Sequence, residues 1–202
     1  MHIAEGVLSL PILASGTVIA TTGTVIGLKK LEYQDMPKVA VLSSTFFVAS
    51  LIHVPVGPTS AHLILNGMAG IILGYSAFPA LLLALLLQAV LFQFGGFTAL
   101  GVNTATMATP AVLCYIIFKP MVVHKIRYIS AIAGFLSGFM SVLLSSILVA
   151  LALALSGEVF ITVARMIVVV HIPIMVIEGI ITGFVIFFLR RVKPELLGYK
   201  NF

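Results

Sequence analysis

Charge is the scarcest commodity in this chain. Only 8% of its 202 residues are Asp, Glu, Lys or Arg, where a soluble domain carries roughly a quarter. That poverty excludes an ordinary water-facing surface. Tryptophan is absent and cysteine occurs once, as Cys114. One cysteine excludes a disulfide framework, and its apolar neighbours make it a small buried hydrophobe. No Gly-x-x-x-x-Gly-Lys-Ser/Thr phosphate loop occurs. His-Glu-x-x-His and the nucleophile elbow are missing too. The chain is therefore expected to be no enzyme and to hydrolyse no ATP by itself. Internal repeats and low-complexity tracts are lacking, so residues 1–202 read as a single domain. The formal net charge of +5 is no nucleic-acid signal, because the basic residues sit between apolar runs, where they encode topology.

Hydrophobic residues make up 61% of the sequence. Seven apolar segments stand out, at 8–28, 38–54, 60–75, 77–94, 103–120, 127–155 and 159–190. A span needs about 20 residues, so the pattern predicts an all-α, polytopic membrane protein with about seven transmembrane helices. The third and fourth segments are short and glycine-rich, and read as tilted or broken. The last two are long and read as tilted or extending past the bilayer. Ten of the eleven Lys and Arg residues fall on one side of a seven-span arrangement: Lys29, Lys30, Lys38, Lys119, Lys125, Arg127, Arg190, Arg191, Lys193 and Lys200. The positive-inside rule makes that side cytoplasmic, which puts the amino terminus outside and the C-terminus inside. Loops 54–60 and 95–104 are then external, and both lack charge. Uncharged Gly/Pro/Thr loops suggest backbone folded into the protein around a site.

The first residues are Met1-His2-Ile3-Ala4-Glu5-Gly6. No basic region precedes the first apolar run, so no cleavable signal is expected. The bulky His2 should spare Met1 from removal, leaving a mature Met-His start. A free amine followed by His is a chelator. The α-amine, the deprotonated His2 amide and the His2 imidazole close a five- and a six-membered ring on three corners of a square, a planar nitrogen set that suits Ni(II) and Cu(II). The fourth donor must come from elsewhere. His62 follows the first external loop and lies on the same side; it is either that donor or a hydrogen-bonded structural histidine. Asn66 follows by four residues, and helical spacing would put it on the His62 face. There it either orients a ligand or bonds another helix. Asn103, after Gly95, Gly96 and Gly101, would contribute shape and hydrogen bonds as the loop packs over the terminus. Ionisation of free imidazoles and a free amine predicts affinity that falls below about pH 7; a flat profile would point to a carboxylate, Glu5 first.

His171 and Glu178 lie seven residues apart in the last segment and read as a proton relay, a second metal site or a polar brace. A relay would make the chain a proton-coupled metal permease. His53 reads as a further ligand or as local packing, and His124 as a solvated residue. Gly16 with Ala20, and Gly23 with Gly27, form small-residue pairs four apart. Such stripes pack helices closely, either inside the chain or against a membrane partner.

Several pieces together resemble the substrate-capture subunit (S-component) of nickel and cobalt energy-coupling-factor transporters, the CbiM/NikM family. They are Met1-His2-Ile3 with Glu5-Gly6 and Leu8; Ser60-x-His62-Leu63 with Asn66-Gly67 and Gly70; Gln88-Ala89 leading to Gly95-Gly96-x-Thr98-Ala99-Leu100-Gly101 and Asn103; and His171-x-Pro173 with Glu178-Gly179. The resemblance implies a seven-helix subunit of a prokaryotic inner (cytoplasmic) membrane. It implies that Ni²⁺ or Co²⁺ is held by the Met1 amine, the His2 amide and imidazole, and His62. It further implies a transmembrane coupling (T) subunit, two cytoplasmic ATPase subunits that use ATP, and a small accessory membrane protein as a separate chain.

Overall fold

A computed structural model of the chain describes residues 1–199; Lys200, one of the basic residues counted above, lies outside the described residues. Helices α1 (Leu10–Lys29) and α2 (Met36–Ala49) lead into a hairpin of β1 (His53–Val56) and β2 (Thr59–His62). Then come α3 (Asn66–Leu73), α4 (Ala77–Phe92), α5 (Leu100–Val122), α6 (Arg127–Ala154), α7 (Ile161–Val170) and α8 (Ile172–Val192). Among the described residues, five stretches are long and apolar enough to cross a membrane: Leu10–Lys29, Asn66–Phe92, Leu100–Val122, Arg127–Ala154 and Glu158–Val192. The chain is a multi-pass membrane protein.

The hairpin departs from the all-helical expectation. His53 pairs with His62 and Val56 with Thr59 across a tight turn, where Gly57 holds φ +57°. His62 thus ends a strand, while Asn66 begins a helix. The helical spacing that would have put both on one face does not exist. Segments 60–75 and 77–94 form one broken stretch, interrupted at Gly74 with φ +58°. The last segment is not one tilted helix either. It bends at His171, which ends α7 and precedes α8. Pro173, just inside α8, cannot donate to the turn before it and crowds the carbonyl of residue 169.

Small residues let the helices close up. A Cβ on Gly138 of α6 would sit 2.5 Å from the Glu178 carbonyl of α8, and one on Gly67 of α3 would sit 2.6 Å from the Ser137 carbonyl of α6. Backbones that approach this closely gain dispersion contact that lipid cannot supply. The stripe on α1 works the same way. Gly16 lies against Val102 of α5, Gly23 against Phe78 of α4, and Gly27 against Tyr75 and Pro79. The stripe thus packs inside the chain, against α4 and α5. Helix α3 is held at both ends by long side chains from other helices. Glu178 accepts N–H bonds at its amino end, and Lys119 Nζ donates to the Ile71 carbonyl at its carboxyl end, 2.8 Å away.

Candidate metal site at the amino terminus

The amino-terminal segment is folded into the protein ahead of α1. Met1, His2 and Ile3 are buried, and the chain surfaces at Ala4 and Glu5. Ile3 bridges to Thr59 of the hairpin, and the Ala4 N–H donates to the Pro58 carbonyl. Asn103, on the first turn of α5, grips both sides of Ile3. Its Oδ1 accepts the Ile3 N–H at 2.9 Å and its Nδ2 donates to the Ile3 carbonyl at 3.2 Å. Among the described residues, no backbone hydrogen bond outside helices and strands starts from the His2 N–H.

Loop 95–98 closes over this segment. Gly95 and Gly96 both take φ +75°, and added Cβ atoms would meet Asn103 Nδ2 at 2.6 Å and Glu5 Oε2 at 2.7 Å. Only glycine fits both demands. Glu5 Oε1 accepts the Thr98 N–H, so this acid clasps the loop.

The two histidines meet here. Their ring centroids are 4.7 Å apart, and His2 Nδ1 lies 3.1 Å from His62 Nε2. Neighbours fix both tautomers. His62 Nδ1 lies 2.7 Å from the Leu63 carbonyl, which can only accept; Nδ1 therefore carries the proton and Nε2 is bare. Gln88 Nε2 donates to the Phe47 carbonyl and to Ser50 Oγ. This orients the amide so that Oε1 accepts from His2 Nε2 at 2.7 Å, leaving His2 Nδ1 bare. Two bare lone pairs thus face each other, which in a neutral pair is a repulsion and not a hydrogen bond. Metal–nitrogen bonds of about 2.0–2.1 Å, the length found at zinc, give adjacent corners of a square a separation of about 2.9 Å. The observed gap fits a cation between the two nitrogens. His2 Nδ1 is also the nitrogen that closes a six-membered ring with the His2 amide.

Burial keeps these nitrogens free of protons. It lowers the Met1 amine well below its ordinary value. His2 falls to about 3, first through burial and then through the neighbouring amine charge, against the Gln88 hydrogen bond. His62 falls well below its ordinary value for the same two leading reasons. Among the described residues no three His, Cys, Asp or Glu side chains converge on a point. The buried amine and the His2 amide are further nitrogens beside this pair.

The remaining candidates divide. Asn66 turns away from His62; its Nδ2 donates to the Met107 carbonyl and to Ser145 Oγ, tying α3 to α5 and α6. Glu178 accepts from the Ile64 and Leu65 N–H groups. Leu65 holds φ +53°, a conformation costing a non-glycine residue roughly 1–2 kcal/mol. The carboxylate thus secures the turn that follows His62. His171 Nδ1 bonds the Ile167 carbonyl at 2.6 Å, and its buried Nε2 has no partner among the described residues. His124 is exposed and accepts the Ile126 N–H. Gln88 escaped the sequence reading as a site residue. Two signals marked it: its place among the residues that carry the family resemblance, and a polar amide alone in the apolar run of α4.

A buried pair of bare imidazole nitrogens in a bundle of membrane helices is a donor set suited to a transition-metal ion. Comparison with known proteins makes it specific. The family described as "CbiM: Cobalt uptake substrate-specific transmembrane region" matches residues 2–196, and the chain belongs to that family. A Haemophilus influenzae protein named "Putative metal transport protein" is 43% identical over 98% of this chain and 97% of its own. The "Cobalt transport protein CbiM" of Sorangium cellulosum is 33% identical over 98% of this chain and 94% of its own. A crystal structure of a truncated transition metal transporter superposes with a TM-score of 0.75 at 28% identity, covering 95% of this chain and 99% of that one. The chain is a multi-pass membrane protein of a cobalt/nickel transport family.

Proposed function

We propose that this chain is the substrate-capture subunit of an energy-coupling-factor importer and binds Ni²⁺ or Co²⁺ as cargo. The ligands are the Met1 amine, with Met1 as the free terminus, the ionised His2 amide, His2 Nδ1 and His62 Nε2. The observation that carries this reading is the pair of bare nitrogens 3.1 Å apart at the amino terminus. Four nitrogens in a square suit low-spin Ni(II) well, and Co(II) can occupy the same set. Gln88 and Asn103 hold the ligands in place. Glu178 supports His62 through the turn after it, which favours the brace over a proton relay. As one domain in a prokaryotic cytoplasmic membrane, the chain crosses seven times, with α2 counted as a span and the pass before α4 made by buried β2 together with α3. Its amino terminus faces out and its C-terminus faces in. A transmembrane coupling subunit, two cytoplasmic ATPases and a small accessory membrane protein complete the importer, and ATP enters only through those partners.

Ni²⁺ titration of the purified chain and two variants tests the ligand set. His62→Ala opens one corner and should weaken binding by about tenfold or more, in the range that loss of ligand support brings elsewhere. His124→Ala should bind like the parent. Equal affinities for the two variants would remove His62 from the site.

A further inference from the structure

The proposed cargo site is buried, so a hydrated cation must reach it from solvent. A cavity of about 200 Å³ lies at that boundary, lined by His2, His53, Phe94 and the hairpin turn. His53 is exposed, unlike His2 and His62. It opens β1 directly across from His62, so the two side chains stand on one face of the hairpin. Its Nδ1 lies 3.1 Å from the Leu51 carbonyl, which can only accept. Nδ1 therefore carries the proton and Nε2 is bare, the form that takes a metal. Phe94 meets the His53 ring edge-on at 4.6 Å and the His2 ring at 6.1 Å. The three imidazoles do not form a cage; they run inward from solvent, past Phe94, to the buried pair.

We propose that His53 is an entry ligand for the hydrated divalent cation. Resting on the reading of His2 and His62 as the cargo site, the step is a ligand exchange. One bound water leaves as the metal–Nε2 bond to His53 forms. That bond breaks as His2 Nδ1 or His62 Nε2 takes the vacated position. No electron moves. An entry ligand lowers the barrier in both directions, so it changes rates and leaves the equilibrium alone.

The test is stopped-flow Ni²⁺ binding to the purified chain with a native amino terminus, read by visible absorbance. His53→Phe keeps a ring against Phe94 without a nitrogen, and His53→Ala removes both. In both variants the association and dissociation rates should fall together by about tenfold, the low end of the one to three decades seen among variants of a single interface. Stoichiometry and Kd should hold. Association within about twofold of the parent in His53→Phe overturns the proposal, even if His53→Ala is slow, because the nitrogen then plays no part. Loss of bound metal in a folded variant overturns it too, since His53 would be a resident ligand. A parent chain that binds no Ni²⁺ sinks the cargo-site reading itself.

Discussion

His2 is gripped at one nitrogen and left bare at the other, and Gln88 does the gripping. The amide reaches His2 from α4 and is itself oriented by Phe47 and Ser50 of the α2 end. Gln88→Leu removes the acceptor, frees the tautomer and lets the ring turn. Ni²⁺ affinity should drop by about 10–100-fold, the usual loss for an outer partner of a metal ligand, while a single metal still binds at saturation. A titration showing parental affinity would exclude Gln88 from the site. The ligand candidates themselves were legible, because a Met-His start advertises its chemistry without any fold. Gln88 was only half legible: a lone amide in the apolar run of α4 marks it as unusual, but its partner is 86 residues away. Asn66 was misplaced for a local reason: four residues suggest one helical face only where the backbone is helical, and at His62 it is extended.

At the level of elements, small residues marked helix contacts correctly but did not say which contacts. The glycines of α1 could have faced a partner or a neighbour, and spacing is the same for both. Phe78 and Pro79 of α4, and Val102 of α5, fill the space. Gly23→Leu should therefore destabilise the purified chain itself, by about 1–3 kcal/mol if the core must overpack, seen as a lower unfolding midpoint in detergent. A variant as stable as the parent that fails only in uptake with the coupling subunit present would return the stripe to the partner. The hairpin was hidden for another reason. Thr59, Ser60, Ala61 and His62 carry a weak strand signal, and the sequence before them contains Pro55, which demotes a strand. Its stability comes from Ile3 and Ala4, which dock on it from far away in sequence.

For the whole molecule, burial changes the pH behaviour expected from free groups. The Met1 amine, His2 and His62 all titrate below their ordinary values, so affinity should survive below pH 7 better than exposed imidazoles would allow. Near pH 7 only the amide proton remains to be displaced, and Ni²⁺ binding should release about one proton. Calorimetry in buffers of different ionisation enthalpy checks this, and release of two or more would contradict it. The sign for stability follows from the same shifts. Between about 3 and 6.5 the unfolded chain binds a proton at His2 that the folded chain refuses, so metal-free stability is full above the ordinary histidine value and declines as pH falls through that window.

If the Met1 amine is a ligand, extending the chain ahead of it must destroy the site. Two Gly residues placed before Met1 move the α-amine out of its five-membered ring, set the histidine one position too far along for a local amine–amide–amide–imidazole chelate, and leave His2, His62 and Gln88 in sequence. Metal analysis of purified protein, alongside the native-terminus chain, reads the result. Stoichiometric Ni²⁺ is expected in the native chain and little or none in the extended one, whose metal-free form should still unfold cooperatively. An extended chain that keeps stoichiometric metal would contradict it.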